Sequence, residues 1–525
     1  MSDRSVKQPD AVGHDHANEL RQAARGGIIS GVGAGISAGM GFVLTLVLAR
    51  SFGEVGSGVV LQAIAVFSIA LGIARAGMDT AGIWVLPRLA LSDAGKIRGA
   101  AVALLLPALA VGTVLALLLA ALVPQLGLSA DVHQPEVIAA VRALNWFLPC
   151  AAVMMVALAA TRGLGNVVPY TAVGAVALPV SRPLAVLVVV AVGGPAVWAA
   201  VAWAIPLPLA MAAILLSLWV RIRSHERHAG IKGRWLPDRE VFSRVVKFAL
   251  PRWYSAGVEQ SIVWFDVILV GALAGAGAAG VYGAASRFVS AGLIISTAMR
   301  MVISPRFSAL LSENKTAAVQ MLYSTTLTWI VLLGTPIYGI FMFFAPTALH
   351  WLGAGFETGS TALVILCAGA ITSLLAGNVD SVLMMSGRSG WMAMNKSAVL
   401  AVNIGGNLVL VPAWGIVGAA ASWAVSLLID AILASVESRI FLGIRFDAGR
   451  VSYALLVAAV SFVPPSTLSI MVLGNNTLSC AVATAGTLVI LCLWCWLDRR
   501  RLRISDFSLL SRRATAETTT AVAAN

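Results

Sequence analysis

This sequence predicts an all-α membrane protein of fourteen transmembrane helices, arranged as two parallel six-helix bundle repeats with an appended C-terminal helix pair. Three observations carry that expectation. Fourteen apolar stretches run through the 525 residues, and the loops between them carry Lys and Arg only at every second position. Segments of the first half recur in the second. Composition agrees: hydrophobic residues make up 59% of the chain, charged residues 11%, and mean hydropathy is +0.90, outside the range of soluble domains.

In chain order, residues 1–24 form a polar cytoplasmic segment with Arg21, followed by Arg25, and show no signal-peptide pattern. Spans follow at 26–49, 58–76, 98–123, 138–160, 168–190 and 196–220, giving an N-terminal bundle over 25–220. Each is long enough to cross ~30 Å of hydrocarbon at about 1.5 Å per residue. The second span is expected to kink at Gly77-Met78-Asp79 and run on to about residue 90. A cytoplasmic linker occupies 221–247. The C-terminal bundle, 248–445, holds spans at 248–272, 280–303, 320–345, 361–385, 394–412 and 415–438. Helices thirteen and fourteen, 451–472 and 478–497, fill 446–498, and 499–525 is a basic cytoplasmic tail.

Loop charge sets the orientation. One set of loops carries Arg88, Lys96, Arg162, the run Arg221 to Arg239, Arg306, Lys315, Arg388, Lys396, Arg439, Arg445 and Arg450, and the tail adds Arg499 to Arg503. The other set is short, has no Lys or Arg, and contributes Glu54, Asp131, Glu136 and Glu357. The positive-inside rule puts the basic loops and both termini on the cytoplasmic side of a cytoplasmic (inner) membrane. Short outer loops leave no room for an extracellular domain. The net charge of +13 is then mostly inner-loop charge against lipid head groups, so no nucleic-acid partner is expected. All five cysteines lie in apolar stretches, and Cys492-Leu-Trp-Cys495 lacks the partners a zinc site needs; no metal or cofactor is expected.

The repeat is visible in two places. Pro87-Arg88-Leu-Ala-Leu-Ser92-Asp93 returns as Pro305-Arg306-Phe-Ser-Ala-Leu-Leu-Ser312-Glu313, and Ala199-Ala-Val-Ala-Trp203-Ala-Ile as Ala419-Ala-Ala-Ser-Trp423-Ala-Val. Both recurrences have nearly the same offset. Parallel six-helix repeats place a cavity between two bundles that rock around it, which is alternating access.

Further motifs add a resemblance. They are Leu48-Ala49-Arg50-Ser51-Phe52-Gly53-Glu54-Val55-Gly56, Phe248-Ala249-Leu250-Pro251, Trp264-Phe265-Asp266, Gly280-Val281-Tyr282-Gly283-Ala284-Ala285-Ser286-Arg287, Ser304-Pro305-Arg306-Phe307 and Met385-Ser386-Gly387-Arg388. In this order and spacing, over about 25–445, the chain resembles the polysaccharide-export (Wzx-type) lipid-linked oligosaccharide flippases of the multidrug/oligosaccharidyl-lipid/polysaccharide exporter superfamily. The resemblance implies two bundles around a V-shaped cavity, with the extra helices near a lateral lipid portal. It also implies a polyprenyl-diphosphate-linked glycan as cargo, moved from inner to outer leaflet. Membrane lipids, and polysaccharide polymerases or glycosyltransferases, are the partners expected with it.

A charge near mid-bilayer costs at least ~2.5–3.5 kcal/mol, so such residues face a cavity or a partner. Arg75, Arg300 and Glu437 lie near cytoplasmic span ends, where snorkelling suffices, and Arg50 and Arg142 lie near outer ends. Deeper are Arg182, Glu259, Asp266, Arg287 and Asp430, with Arg252 and Asp380 in the inner third. Arg182, Arg252 and Arg287 are the candidate ligands of a diphosphate, because a guanidinium stays charged and donates in a fork that matches phosphate oxygens. For Arg287 the competing role is an ion pair with Asp266. Glu259 is a candidate site for a coupling H⁺ or Na⁺, or else a partner of Arg252 through a second helix. Asp266, Asp380 and Asp430 are candidates for ion coupling or ion pairing.

Two further functions compete. A cation-coupled multidrug exporter shares the bundles but prefers an acidic cavity, whereas the deep set here includes three arginines. A lipid-linked peptidoglycan precursor flippase is a close relative of the favoured reading. An enzyme acting on the same glycolipid would need a catalytic outer loop, and the sequence has none long enough. No G-x-x-x-x-G-K-[ST] motif occurs, which argues against an ATP-driven transporter within this chain.

Overall fold

The computed structural model describes residues 10–123, 132–165, 167–313, 315–386 and 389–498. Asp131, Gly387, Arg388, the first nine residues and the basic tail lie outside them. The described residues are helical, with no strand among them. The helices are α1 (Asp10–Ala74), α2 (Met78–Ser92), α3 (Ile97–Leu122), α4 (Gln134–Asn145), α5 (Leu148–Gly163), α6 (Val167–Ala191), α7 (Ala196–His228), α8 (Arg239–Ala274) and α9 (Ala276–Ser312). They continue with α10 (Thr316–Phe343), α11 (Ala345–His350), α12 (Ser360–Ala376), α13 (Val379–Met385), α14 (Ser389–Leu442), α15 (Ala448–Leu473) and α16 (Thr477–Leu497). Among the described residues, 10 helical segments are long and apolar enough to cross a membrane, or 11 with α4 and α5 taken as one span bent by 50°. The chain is a multi-pass membrane protein.

Several sequence boundaries move. The first two expected spans form one helical run, broken only at Gly53 (φ 66°, ψ −167°), and the eleventh and twelfth form another, broken only at Gly415 (φ 57°, ψ −136°). A single glycine with positive φ turns the chain there, so no loop separates the arms. The second break is where the sequence places it: Ala76 and Gly77 both have positive φ, and helix resumes at Met78. The expected linker 221–247 is largely helical, since α7 runs to His228 and α8 starts at Arg239. Its charge pattern marked the membrane boundary, whereas helix persists beyond the hydrocarbon.

The short remaining linker is docked from below. Arg98 forms a buried ion pair with Glu226, and Glu226 accepts the Gly233 N–H at 3.1 Å. The Arg98 guanidinium lies 4.7 Å from the Trp235 ring centroid. Asp238 caps α8 by accepting the Glu240 N–H at 3.2 Å and pairs with Lys96 at 3.3 Å. The Glu240 N–H and Lys96 together hold the Asp238 carboxyl below its ordinary value, and Asp238 and Asp93 raise Lys96. A depressed carboxylate stabilises the fold above its unfolded-state value and loses that contribution as pH falls through its folded-state value.

Helix association in lipid lacks a hydrophobic drive between helices, so close backbone approach and hydrogen bonds hold the bundles together. The tightest approach joins the halves at the end that carries the short loops. A Cβ on Gly58 would lie 1.8 Å from the Ala276 carbonyl oxygen, and one on Gly280 would lie 2.0 Å from that of Glu54. Beside them, Arg50 donates to the Trp351 carbonyl at 2.9 Å. At the opposite, basic end the halves meet again. Trp253 Nε1 donates to the Ile73 carbonyl at 2.7 Å, and Trp84 stacks on Phe248 with centroids 4.5 Å apart.

Two outcomes follow. Gly58→Val should part the halves at the short-loop end, raising the reactivity of a thiol placed at Ser57 toward a membrane-impermeant maleimide; unchanged reactivity would contradict the seal. Acidification below the ordinary carboxylate range should lower the protection of amides in 229–238 relative to their intrinsic exchange rates at each pH, and Asp238→Ala should show the lowered protection already at neutral pH.

Candidate anion-binding cavity

Between the two contacts lies a cavity of about 370 Å³. Its walls come from α1, α5, α6 and α7 of the first half and from α8 and α9 of the second. Three arginines, Arg75, Arg182 and Arg287, reach it, and among the described residues no Asp or Glu lines it. Most of the rest is apolar or small, including Met40, Gly41, Ile64 and Met154.

Arg182 is positioned by an irregular helix. α6 is π-helical over Tyr170–Ala177, and Pro179 and Pro183 flank the arginine. Neither proline supplies an N–H to the ladder, so the helix departs from α geometry and directs one side chain inward. Gly174 in the π stretch lets Leu158 pack close. The Arg182 guanidinium sits 3.8 Å from the centroid of Trp203 on α7, and its Nε is buried without a hydrogen-bond partner. Arg287 lies 4.3 Å from the centroid of Trp264 on α8. In each half, then, an arginine from one helix rests on a tryptophan from the neighbouring helix. A desolvated cation–π contact is worth about 2 kcal/mol, which offsets part of the burial cost while leaving the N–H donors free.

The other candidates are distributed differently. Asp266 is 3% exposed and accepts from Tyr282 at 3.1 Å and from Asn407 at 2.9 Å. Arg287 and Asp266 are not ion-paired; the carboxylate is satisfied by neutral donors instead. Arg252 is half-buried and lies outside the cavity lining, and Glu259 is exposed with no ion pair to Arg252 among the described residues. Asp380 and Asp430 both pair with Lys396, at 3.0 and 2.5 Å. Lys396, expected as a loop cation, is instead packed between helices as the centre of a partly buried cluster. Arg75 does not snorkel: it lines the cavity and pairs with Asp79 at 3.1 Å. Glu437 is 7% exposed and accepts from Asn395 at 2.8 Å. Arg142 and Arg300 are exposed.

Five residues have a part here that the sequence did not reveal. Arg75 and Asp79 carried a signal in their four-residue spacing across a helix break. Trp203 stood out only as a repeat marker and Trp264 only as part of a motif, and nothing in the sequence paired them with arginines. Gln260, also in the lining, gave no signal. Among the described residues no group of three His, Cys, Asp or Glu is placed to hold a metal ion.

Comparison with known proteins places this cavity in a family. A family model described as polysaccharide biosynthesis protein matches residues 23–311, more than half of the chain. The chain belongs to this family. A probable low-salt glycan biosynthesis flippase, Agl15 of Haloferax volcanii, is 26% identical over 204 residues; that match spans 38% of this chain and 43% of the relative. Among solved structures, a lipid II flippase MurJ in an inward closed conformation superposes with a TM-score of 0.73 at 12% identity, covering 90% of this chain and 99% of that one. An inward-facing MATE-family multidrug resistance transporter gives 0.63 at 16% identity, covering 78% and 95%. At such identities these two likenesses establish a shared fold.

A double-mutant cycle tests the arginine–tryptophan pairing. Trp203→Leu should lower stability in the presence of Arg182 and less in Arg182→Met, so that the cycle returns a coupling of about 1–2 kcal/mol. Strict additivity of the two would show that the ring does not hold the cation.

Proposed function

We propose that this protein translocates a polyprenyl-diphosphate-linked oligosaccharide, a precursor of a surface polysaccharide, from the inner to the outer leaflet of the cytoplasmic membrane. It works by alternating access and carries out no covalent chemistry. One observation carries the reading: Arg182 and Arg287, one from each half, are held on tryptophan faces in a cavity with no lining carboxylate. An excess of buried positive charge is relieved by an anion, and a diphosphate accepts several N–H donors at once. The cavity is of small-ligand size, fit for a diphosphate and its first sugars.

Topology supports the same reading. A straight helix over the 62 residues Gly31–Ser92 would be about 93 Å long, some three hydrocarbon thicknesses, so its arms cross separately. Counting the arms on either side of Gly53 and Gly415, together with the α4–α5 pair and α9, gives fourteen crossings: two six-helix repeats and a final pair. An even count keeps both termini on one side, and on this reading the positive-inside rule assigns the basic end to the cytoplasm and the Gly58–Ala276 contact to the outer face. An anionic head group moving outward across an inside-negative membrane gains about 2.3 kcal/mol per charge per 100 mV.

The second reading is a peptidoglycan precursor flippase, favoured by the near-complete fold match to MurJ. A multidrug exporter of cations is disfavoured by the absence of a lining acid. Deleting the gene and analysing lipids and surface glycan separates the three. Accumulation of one polyprenyl-diphosphate glycan with loss of a surface polysaccharide is expected. Accumulated peptidoglycan precursor would select the second reading, and unchanged glycolipids with sensitivity to cationic drugs the third. In the complemented strain, Arg182→Ala and Arg287→Ala should each lower glycan export about 10- to 100-fold at normal membrane abundance, as expected for a lost charge-assisted contact. Arg287→Lys should recover little, because the ammonium lacks the planar fork.

A further inference from the structure

A second charged centre sits in the C-terminal half, away from the cavity. Lys396 bridges Asp380 at 3.0 Å and Asp430 at 2.5 Å, with side-chain exposures of 19%, 29% and 17%. The three residues come from three helical segments separated by glycine breaks. Asp380 is on α13, cut off from α12 by Gly377 (φ 60°). Lys396 is on the arm of α14 before Gly415, and Asp430 is on the arm after it. One ammonium therefore ties together two helix breaks.

Its charge does not balance. Two carboxylates and one ammonium leave a net charge of −1 inside a membrane helix bundle, and Oδ1 of Asp430 is buried with no hydrogen-bond partner. Polar groups beside the break are equally unsatisfied. Asn378 and Ser381 are each 1% exposed, and neither the Asn378 amide nor the Ser381 hydroxyl finds a partner. Among the described residues no second cation pairs with the cluster. From α8, Tyr254 reaches only Ser397, at 2.7 Å, while Arg252 and Glu259 make no ion pair with the cluster. α12 contributes only the buried thiol of Cys367; α9 carries Tyr282, bonded to Asp266, Arg287, resting on Trp264, exposed Arg300, and Arg306 at the basic end; α14 itself adds Glu437, which accepts from Asn395, and exposed Arg439.

We propose that the Asp380–Lys396–Asp430 cluster is a proton-binding site, with Oδ1 of Asp430 as the acceptor, and that protonation there releases α13 from the second arm of α14. A proton removes the net charge without needing further ligands. Na⁺ would require several oxygens beside an ammonium that repels it, so the lysine selects against it. Neutralising Asp430 weakens the bridge from Lys396 to the second arm and leaves its bond to Asp380, so the segments joined at Gly377 and Gly415 can move apart. Coupling of this event to glycan movement rests on the transport reading above; proton binding itself does not.

Infrared difference spectra of the full-length protein in sodium-free detergent, acidic minus neutral, test the site without any glycolipid. A protonated-carboxyl C=O band should be present in the wild type and in Asp266→Asn, lost in Asp430→Asn, and retained at a shifted frequency in Asp430→Glu. Persistence of the band in Asp430→Asn, or its removal from the wild type by Na⁺ at constant pH, would overturn the assignment. In vesicles containing the glycolipid accumulated by the deletion strain, Asp430→Asn should lose the response to an imposed pH gradient; an undiminished response would overturn the coupling. Failure of the wild type to move glycolipid at all would sink the transport reading and leave the infrared result standing.

Discussion

The burial of positive charge without negative charge is the constraint on which this protein depends. An arginine in the hydrocarbon region is costly, and the usual remedy is a carboxylate within a few ångströms. Arg182 and Arg287 take another remedy, a tryptophan ring at 3.8 and 4.3 Å. The quadrupole of the ring lowers the cost of the cation yet occupies none of its N–H donors. An acid in the same place would have neutralised the site and closed it to anions. Asp266, nearby in sequence to Trp264, is kept out of this arrangement because Tyr282 and Asn407 satisfy it.

The rest of the fold serves that arrangement. The two arginine–tryptophan pairs belong to different halves, so the cavity exists only while the halves are docked. Docking rests on bare backbone contact at Gly58 and Gly280 on one side and on Trp253 and Trp84 on the other. Neither contact contains a buried salt bridge between the halves that motion would have to break. Contacts of this kind are compatible with rocking, since few directional bonds must be exchanged. Within the second half, Lys396 is the exception, a directional tie across two helix breaks.

Much of the architecture was legible in the sequence because a bilayer imposes length and loop charge directly. All-helical class, membrane residence and the break after Arg75 followed from hydropathy and glycine placement. The continuous runs through Gly53 and Gly415 were not, since a turn made by one glycine leaves no polar loop to read. Site residues were half legible. Burial cost marked Arg182 and Arg287 as residues needing an explanation, and both line the cavity, but helices that are apolar all round show no face, so sequence could not tell that Arg252 lies outside the lining or that Arg75 reaches it. Lys396 was misplaced for a related reason: near a helix end, loop and interior positions have the same composition, and only packing separates them.

The most direct test of the central claim is calorimetric binding to the purified protein in detergent, comparing farnesyl diphosphate with farnesol and with a lipophilic cation such as tetraphenylphosphonium. An anion-selective cavity predicts that the diphosphate binds, that its affinity falls as salt rises, and that the alcohol and the cation do not bind. Equal binding of farnesol, or preferential binding of the cation, would contradict it.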